Sequence, residues 1–119
     1  MMRLILVMLL AATAAPAFAQ NDGQTAFNTN CRMCHTMKEG DNRQGPSLAG
    51  VFGRKAGSQS GFNYSPSLKQ SGITWDEASL DKFIANPDQL VNGNMMKPYG
   101  GMNDAAQRKV IVDFLKSGG

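Results

Sequence analysis

The sequence predicts an all-α domain, and three observations carry that expectation. Near the C-terminus, Ala106, Val110, Ile111, Phe114 and Leu115 recur at the spacing of one helix face, with Gln107, Arg108, Lys109 and Lys116 elsewhere. Upstream, Leu80, Phe83 and Ile84 form a second apolar stripe, and Pro87 brings it to an end by forcing Asn86 out of helical conformation. The stretch from Gly45 to Gly72 is rich in glycine and has no regular apolar period, so it reads as extended chain wrapped around something and not as a sheet.

The N-terminal residues stand apart from this domain. Met1, Met2 and Arg3 make a positive start, Leu4 to Ala15 form an apolar run of about a dozen residues, and Pro16 breaks it before Ala17-Phe18-Ala19. This pattern predicts an export signal over residues 1–19, cleaved after Ala19. The run is shorter than the ~17–25 residues a membrane-spanning helix needs, so a stable anchor is not expected. Residues 20–119 then suffice for one domain. A domain of that size buries only about two-thirds of its unfolded surface, which makes any large apolar cofactor a major share of its core. Loss of Arg3 lowers the formal net charge of +3 by one. No block of Lys and Arg remains of the kind that binds nucleic acid or a membrane surface.

Within residues 20–119 the first helix is expected to carry Ala26 and Phe27 and to end at Cys31 and Cys34, which continue its spacing. Gly40 and Gly45-Pro46 punctuate a loop beyond it. Thr74-Trp75-Asp76-Glu77 has the form of a capping box, in which the Thr74 hydroxyl accepts from the amide of Glu77 and the Glu77 carboxylate reaches back, so the next helix is expected to start there. The last helix can be capped by Asn103 or Asp104 and is stopped by Gly118.

Cys31-Arg32-Met33-Cys34-His35 holds both cysteines and the single histidine of the chain. A disulfide across two residues closes too small a loop to stabilise much. A thioredoxin-like pair needs a preceding strand in a βαβ frame, which residues 21–30 do not offer. A structural zinc site needs four ligands, and no second Cys or His group exists. The reading that remains is covalent attachment of haem c, whose signature is Cys-x-x-Cys-His. At helical spacing both thiols face one way and can bond the two vinyl groups of one porphyrin, with His35 as the axial ligand that follows.

A second imidazole is ruled out for the other axial position, because the chain has no other histidine. Met33 and Met37 sit too close to His35 in sequence to cross to the other side. Met95, Met96 and Met102 are the candidates, in a Gly-, Asn- and Pro-rich stretch that reads as a loop between two helices. A thioether is a suitable soft ligand for haem iron and raises its potential relative to two histidines.

Taken together, these residues make the chain resemble class I cytochromes c, nearest to the mitochondrial type and its bacterial relatives. The resemblance runs from Gly23 and Phe27 through the Cys31 to His35 motif, Gly45-Pro46-Ser47-Leu48, Gly50-Val51-Phe52-Gly53-Arg54-Lys55, Gly61-Phe62-Asn63-Tyr64 and Gly72-Ile73-Thr74-Trp75. It continues through Asn86-Pro87 into the final helix. It implies a cytochrome c fold of three main helices and extended loops around one covalent haem, with the first and last helices crossing where Gly23 and Phe27 meet Phe114. It implies Met96 as the second axial ligand, and Pro46 as the carbonyl that accepts from the His35 ring. It also implies Arg54, Tyr64 and Trp75 around one haem propionate, and Asn94, where the family usually has threonine, at the other.

The same resemblance implies a monomeric one-electron carrier in the periplasm. Its partners would be redox proteins such as a membrane cytochrome complex, a terminal oxidase or a periplasmic dehydrogenase. Catalysis at an open iron is disfavoured, since no second histidine is available as a distal acid or base. Three departures from the family bear on docking and potential: Asn30, Asp88, Gln89 and Met95 stand where docking lysines are usual, Phe83 replaces a tyrosine, and Pro98-Tyr99 alters the aromatic over the haem edge.

Overall fold

The computed structural model describes Met8 and residues 19–119. The expected export signal therefore lies outside the described residues, apart from Met8 and Ala19. Five helices follow in order: α1 (Ala19–Asn30), α2 (Pro66–Lys69), α3 (Glu77–Ala85), α4 (Pro87–Leu90) and α5 (Ala105–Ser117). Among the described residues there is no strand, only an isolated antiparallel bridge between Lys55 and Thr74. The all-α expectation holds, with α1, α3 and α5 as its three main helices.

Helix α5 begins and ends where its local chemistry dictates. The Asp104 carboxylate accepts from the amides of Ala106 (3.0 Å) and Gln107 (3.2 Å), and Gly118 takes the left-handed conformation (φ 89°) that only glycine adopts freely. Ile111, Val112 and Leu115 point inward and are buried, Ile111 completely. Burying each such side chain contributes about 1.5–3 kcal/mol.

The crossing of α1 and α5 rests on a missing side chain. A Cβ on Gly23 would sit 2.9 Å from both the Phe114 Cβ and the Val110 carbonyl oxygen, so only glycine lets the two backbones approach this closely. One turn on, Phe27 packs on Phe114 with ring centroids 5.2 Å apart. The expected contact of Gly23 and Phe27 with Phe114 is thus realised. Helix α3 is tied to α5 by Arg108, whose Nε donates to Asp81 Oδ1 at 2.7 Å and whose Nη1 donates to the Met102 carbonyl at 2.8 Å.

One helix start differs from expectation, and the short helices α2 and α4 are not among the expected ones. Helix α3 begins at Glu77 with Asp76, not Thr74, as its cap: the Asp76 carboxylate accepts from the Ser79 amide (2.8 Å) and the Ser79 hydroxyl accepts from the Asp76 amide (2.9 Å). Thr74 and Trp75 are held extended instead. Gly53 donates to the Trp75 carbonyl (2.6 Å), and Trp75 donates to the Arg54 carbonyl (2.9 Å), so this pair is bonded to the Gly-rich segment and is not free to start a helix. That segment also contains the short α2, which Ser65 caps and Pro66 opens, a start signal compatible with its sequence.

Pro87 ends α3 as expected. Asn86 is extended (φ −161°), and its side chain then caps α4 by accepting from Gln89 at 3.3 Å. Helix α4 fixes where the Met-bearing loop departs.

Candidate functional site

Helices α1, α3 and α5 and the Gly-rich segment surround a cavity of about 390 Å³. Its walls are mainly apolar, with Leu48, Val51, Leu80, Phe83, Ile111 and Leu115 prominent. The volume falls in the range of about 300–1,000 Å³ typical of clefts that hold a cofactor.

One edge carries the cysteine motif. Helix α1 stops at Asn30, where the Phe27 carbonyl accepts from both Cys31 (2.7 Å) and Arg32 (3.0 Å), and the motif itself forms the next turn. Cys34 and His35 both donate their amides to the Cys31 carbonyl, at 3.1 and 2.9 Å, which keeps the helical offset and puts both thiols and the imidazole along the cavity. Burial, and secondarily the neighbouring Cys34, push the Cys31 thiol up to about 11. A redox-active pair needs the opposite shift, toward thiolate, so this environment speaks against thiol exchange.

His35 is buried and fixed by one bond. Its Nδ1 lies 2.8 Å from the Pro46 carbonyl oxygen, which can only accept, so Nδ1 carries the proton. Nε2 keeps its lone pair and has no partner among the described residues. Burial holds the imidazole below its usual pKa, and the bond to Pro46 offsets this only partly, so the ring is in the neutral form that can ligate a metal. The approach of the Pro46 segment is close: a Cβ on Gly45 would run into the His35 ring.

The methionine candidates separate here. Met96 and Met95 border the cavity, whereas Met102 packs on the core and does not. Met96 is half-buried against the core, while Met95 is 60 % exposed. Met33 is 88 % exposed. The amide of Met96 donates to Asn94 Oδ1 at 2.9 Å, an anchor that the sequence did not reveal.

The expected polar residues all border the cavity. Arg54 is engaged by the Ala49 carbonyl (2.9 Å), the Ser47 carbonyl (3.0 Å) and Gln59 Oε1 (2.7 Å). Tyr64 accepts from the Gln59 amide at 3.1 Å, and burial raises its pKa. Gln59 thus links Arg54 to Tyr64, a role with no signal in a Gly-rich stretch. Trp75 is buried against Phe83, ring centroids 5.1 Å apart. The Asn94 amide donates to Asp88 Oδ1 and to the Val91 carbonyl, both at 2.9 Å, so a donor role toward a haem carboxylate would require one of these to be exchanged. Tyr99 donates to the Ile84 carbonyl (2.6 Å), and burial pushes its phenol up to about 12.

Among the positions where the family carries docking lysines, Asp88 is paired with Lys97 at 2.6 Å, and Asn30 donates to the Ala26 carbonyl at 2.8 Å. These residues fit a flat, mostly apolar macrocycle, which Cys31, Cys34 and His35 would hold. An apolar chamber, a neutral buried histidine with a free Nε2 and a neighbouring thioether form a donor set suited to haem iron.

Comparison with known proteins agrees with the geometry. The family model described as cytochrome c matches residues 20–119. The chain is similar to cytochrome c2 iso-2 of Magnetospirillum molischianum, 44 % identical over 89 residues, covering 75 % of this chain and 91 % of that protein. It is also similar to cytochrome c of Cochliobolus lunatus, 39 % identical over 103 residues, covering 83 % of this chain and 94 % of that one. Among solved structures, cytochrome cH from Methylobacterium extorquens superposes with a TM-score of 0.75 at 37 % identity, covering 82 % of this chain and 97 % of that one.

Proposed function

Since the chain belongs to the class I cytochrome c family, whose members are mono-haem electron carriers and not enzymes, we propose that His35 and Met96 are the two axial ligands of its iron. Cys31 and Cys34 carry the haem c covalently. The single observation that supports the ligand pair is the orientation of His35: Nδ1–H donates to the Pro46 carbonyl, leaving Nε2 free at a cavity that Met96 also borders.

Bound haem supplies a one-electron couple. The protein's own residues do the rest: Pro46 holds the imidazole in one tautomer and orientation, which also tunes the iron. Leu80, Phe83 and Ile111 keep water from the chamber, and Asn94 holds the backbone of Met96. Thioether ligation and burial both favour a positive potential. Arg54, Tyr64 and Trp75 would face one propionate. Cys34, only half-buried, marks the edge at which an electron leaves during a brief encounter, for which small interfaces are typical.

Its partners are redox proteins. We place the carrier in the periplasm, on the export signal read in residues 1–19, with residues 20–119 as the mature monomeric domain. It would connect a membrane cytochrome complex, a terminal oxidase or a periplasmic dehydrogenase.

The test is the optical spectrum of the oxidised protein. The wild type and Met95→Ala should show the weak far-red band that thioether ligation gives ferric haem, and Met96→Ala should lack it. A wild-type protein without that band at neutral pH, with a high-spin spectrum that cyanide changes, would overturn the ligand assignment.

A further inference from the structure

Met96 is bracketed by a polar cluster of which the electron-carrier reading uses only Asn94. On its N-terminal side, Asn94 is buried, accepts from the Met96 amide through Oδ1 (2.9 Å) and donates through Nδ2 to Asp88 Oδ1 (2.9 Å). On its C-terminal side, Lys97 donates to both oxygens of Asp88 at 2.6 Å. Asp88 stands in α4, whose start is set by the buried Pro87 and capped by Asn86. One carboxylate therefore joins residues two before and one after Met96 to a helix anchored in the core.

We propose that Asp88, Asn94 and Lys97 form a clamp that holds Met96 in the cavity and sets how often the thioether lets go. They are positioning residues, acting on the iron only through Met96, and this rests on Met96 being the ligand. The parts of the clamp differ in strength. The Asp88–Lys97 pair is about half exposed on both sides, and an exposed pair contributes at most about 1 kcal/mol. The Asn94 bonds are sheltered, and a buried polar group that loses its partner bears a larger penalty. The clamp should therefore have a salt-sensitive outer link and a salt-insensitive inner one.

Exogenous cyanide can bind ferric haem only after Met96 leaves, so its capture rate reports the opening. In holoprotein with the far-red band intact, Lys97→Gln should raise that rate about threefold, the factor expected for an exposed pair. Asp88→Asn, which keeps an acceptor for Asn94 but loses the charge, should match Lys97→Gln. Asp88→Ala should exceed both, at about tenfold, and Asn94→Ala more still. Added salt should speed the wild type toward Lys97→Gln and leave Lys97→Gln unchanged.

Gly23→Ala, which loosens the distant α1–α5 crossing, serves as the control for general destabilisation. Rates within twofold of wild type for Asp88→Ala and Lys97→Gln would overturn the clamp. An acceleration in Gly23→Ala as large as theirs at equal loss of melting temperature would overturn it as well. Absence of the far-red band from the wild type would overturn the ligand assignment and the clamp with it, whereas a band with unchanged rates overturns the clamp alone.

Discussion

The carbonyl oxygen of Pro46 stands 2.8 Å from Nδ1 of His35, and it is the bond that decides which ring nitrogen is available. It is placed by the backbone immediately before it. The Gly45 amide donates to the Cys34 carbonyl at 2.8 Å and the Gly45 carbonyl accepts from Arg43 at 2.9 Å, so the segment bearing Pro46 is locked to the motif it serves.

That lock predicts the effect of Gly45→Ala. A methyl there meets the imidazole, and the bonded backbone cannot withdraw, so the ring must tilt. Overpacking of this kind costs about 1–3 kcal/mol. Guanidinium unfolding should show that loss, and the ferric spectrum a weakened far-red band. A variant with unchanged stability and spectrum would mean that the segment yields.

Gly23→Ala addresses the helix crossing. The added methyl would press on the Phe114 Cβ and the Val110 carbonyl, and backbone cannot move aside as the end of a flexible side chain can. A loss of about 1–3 kcal/mol is expected. In a domain of this size each kcal/mol lowers the melting temperature by roughly 4–8 °C. A calorimetric scan showing no loss would contradict the close approach.

The start of α3 gives a test between two caps. Asp76→Ala should lower the melting temperature at neutral pH more than Thr74→Ala, because the Asp76 carboxylate accepts from the Ser79 amide. Bonds from Ser79 hold the Asp76 carboxyl below its usual value of 3.8. A depressed folded-state pKa contributes stability above the unfolded pKa, and that contribution is lost as pH falls through the folded one. The gap between wild type and Asp76→Ala should therefore be full at neutral pH and narrow only below 3.8. A gap independent of pH across that range would exclude the carboxylate as its source.

Arg108 joins α3, α5 and the loop after Met96. Replacing it by leucine removes the donors to Asp81 and to the Met102 carbonyl, which should cost about 1–3 kcal/mol. Asp81→Asn should cost less, because Arg108 keeps its bond to Met102. Equal losses in urea melts would show that the bond to Met102 contributes nothing.

Much of this molecule was legible without its coordinates, and the legible parts are local. The Cys31 to His35 motif names the cofactor because its chemistry lies within one turn of chain. A single histidine removes the alternative imidazole. Pro87 and Gly118 stop their helices through their own covalent geometry, wherever the rest of the chain goes. Periodicity alone gives the apolar face of α3 and most of that of α5, where Ile111 and Leu115 are buried as expected but Val112 is buried too and Ala106 is exposed.

What the tertiary structure decided depends on segments that meet only after folding. Thr74 offered a good cap and lost it, since pairing with the Gly53 to Lys55 stretch claims Thr74 and Trp75 and leaves Asp76 to begin the helix. Residue types left Met95, Met96 and Met102 open. The fold brings Met95 and Met96 to the cavity and turns Met95 outward, because Asn94 fixes the Met96 amide and Lys97 reaches back to Asp88. Gln59 and Asp88 gained their roles in the same way. A side chain's propensity is encoded where it stands, but its partner is set by the path of the chain around the cofactor, and no single stretch of sequence carries that path.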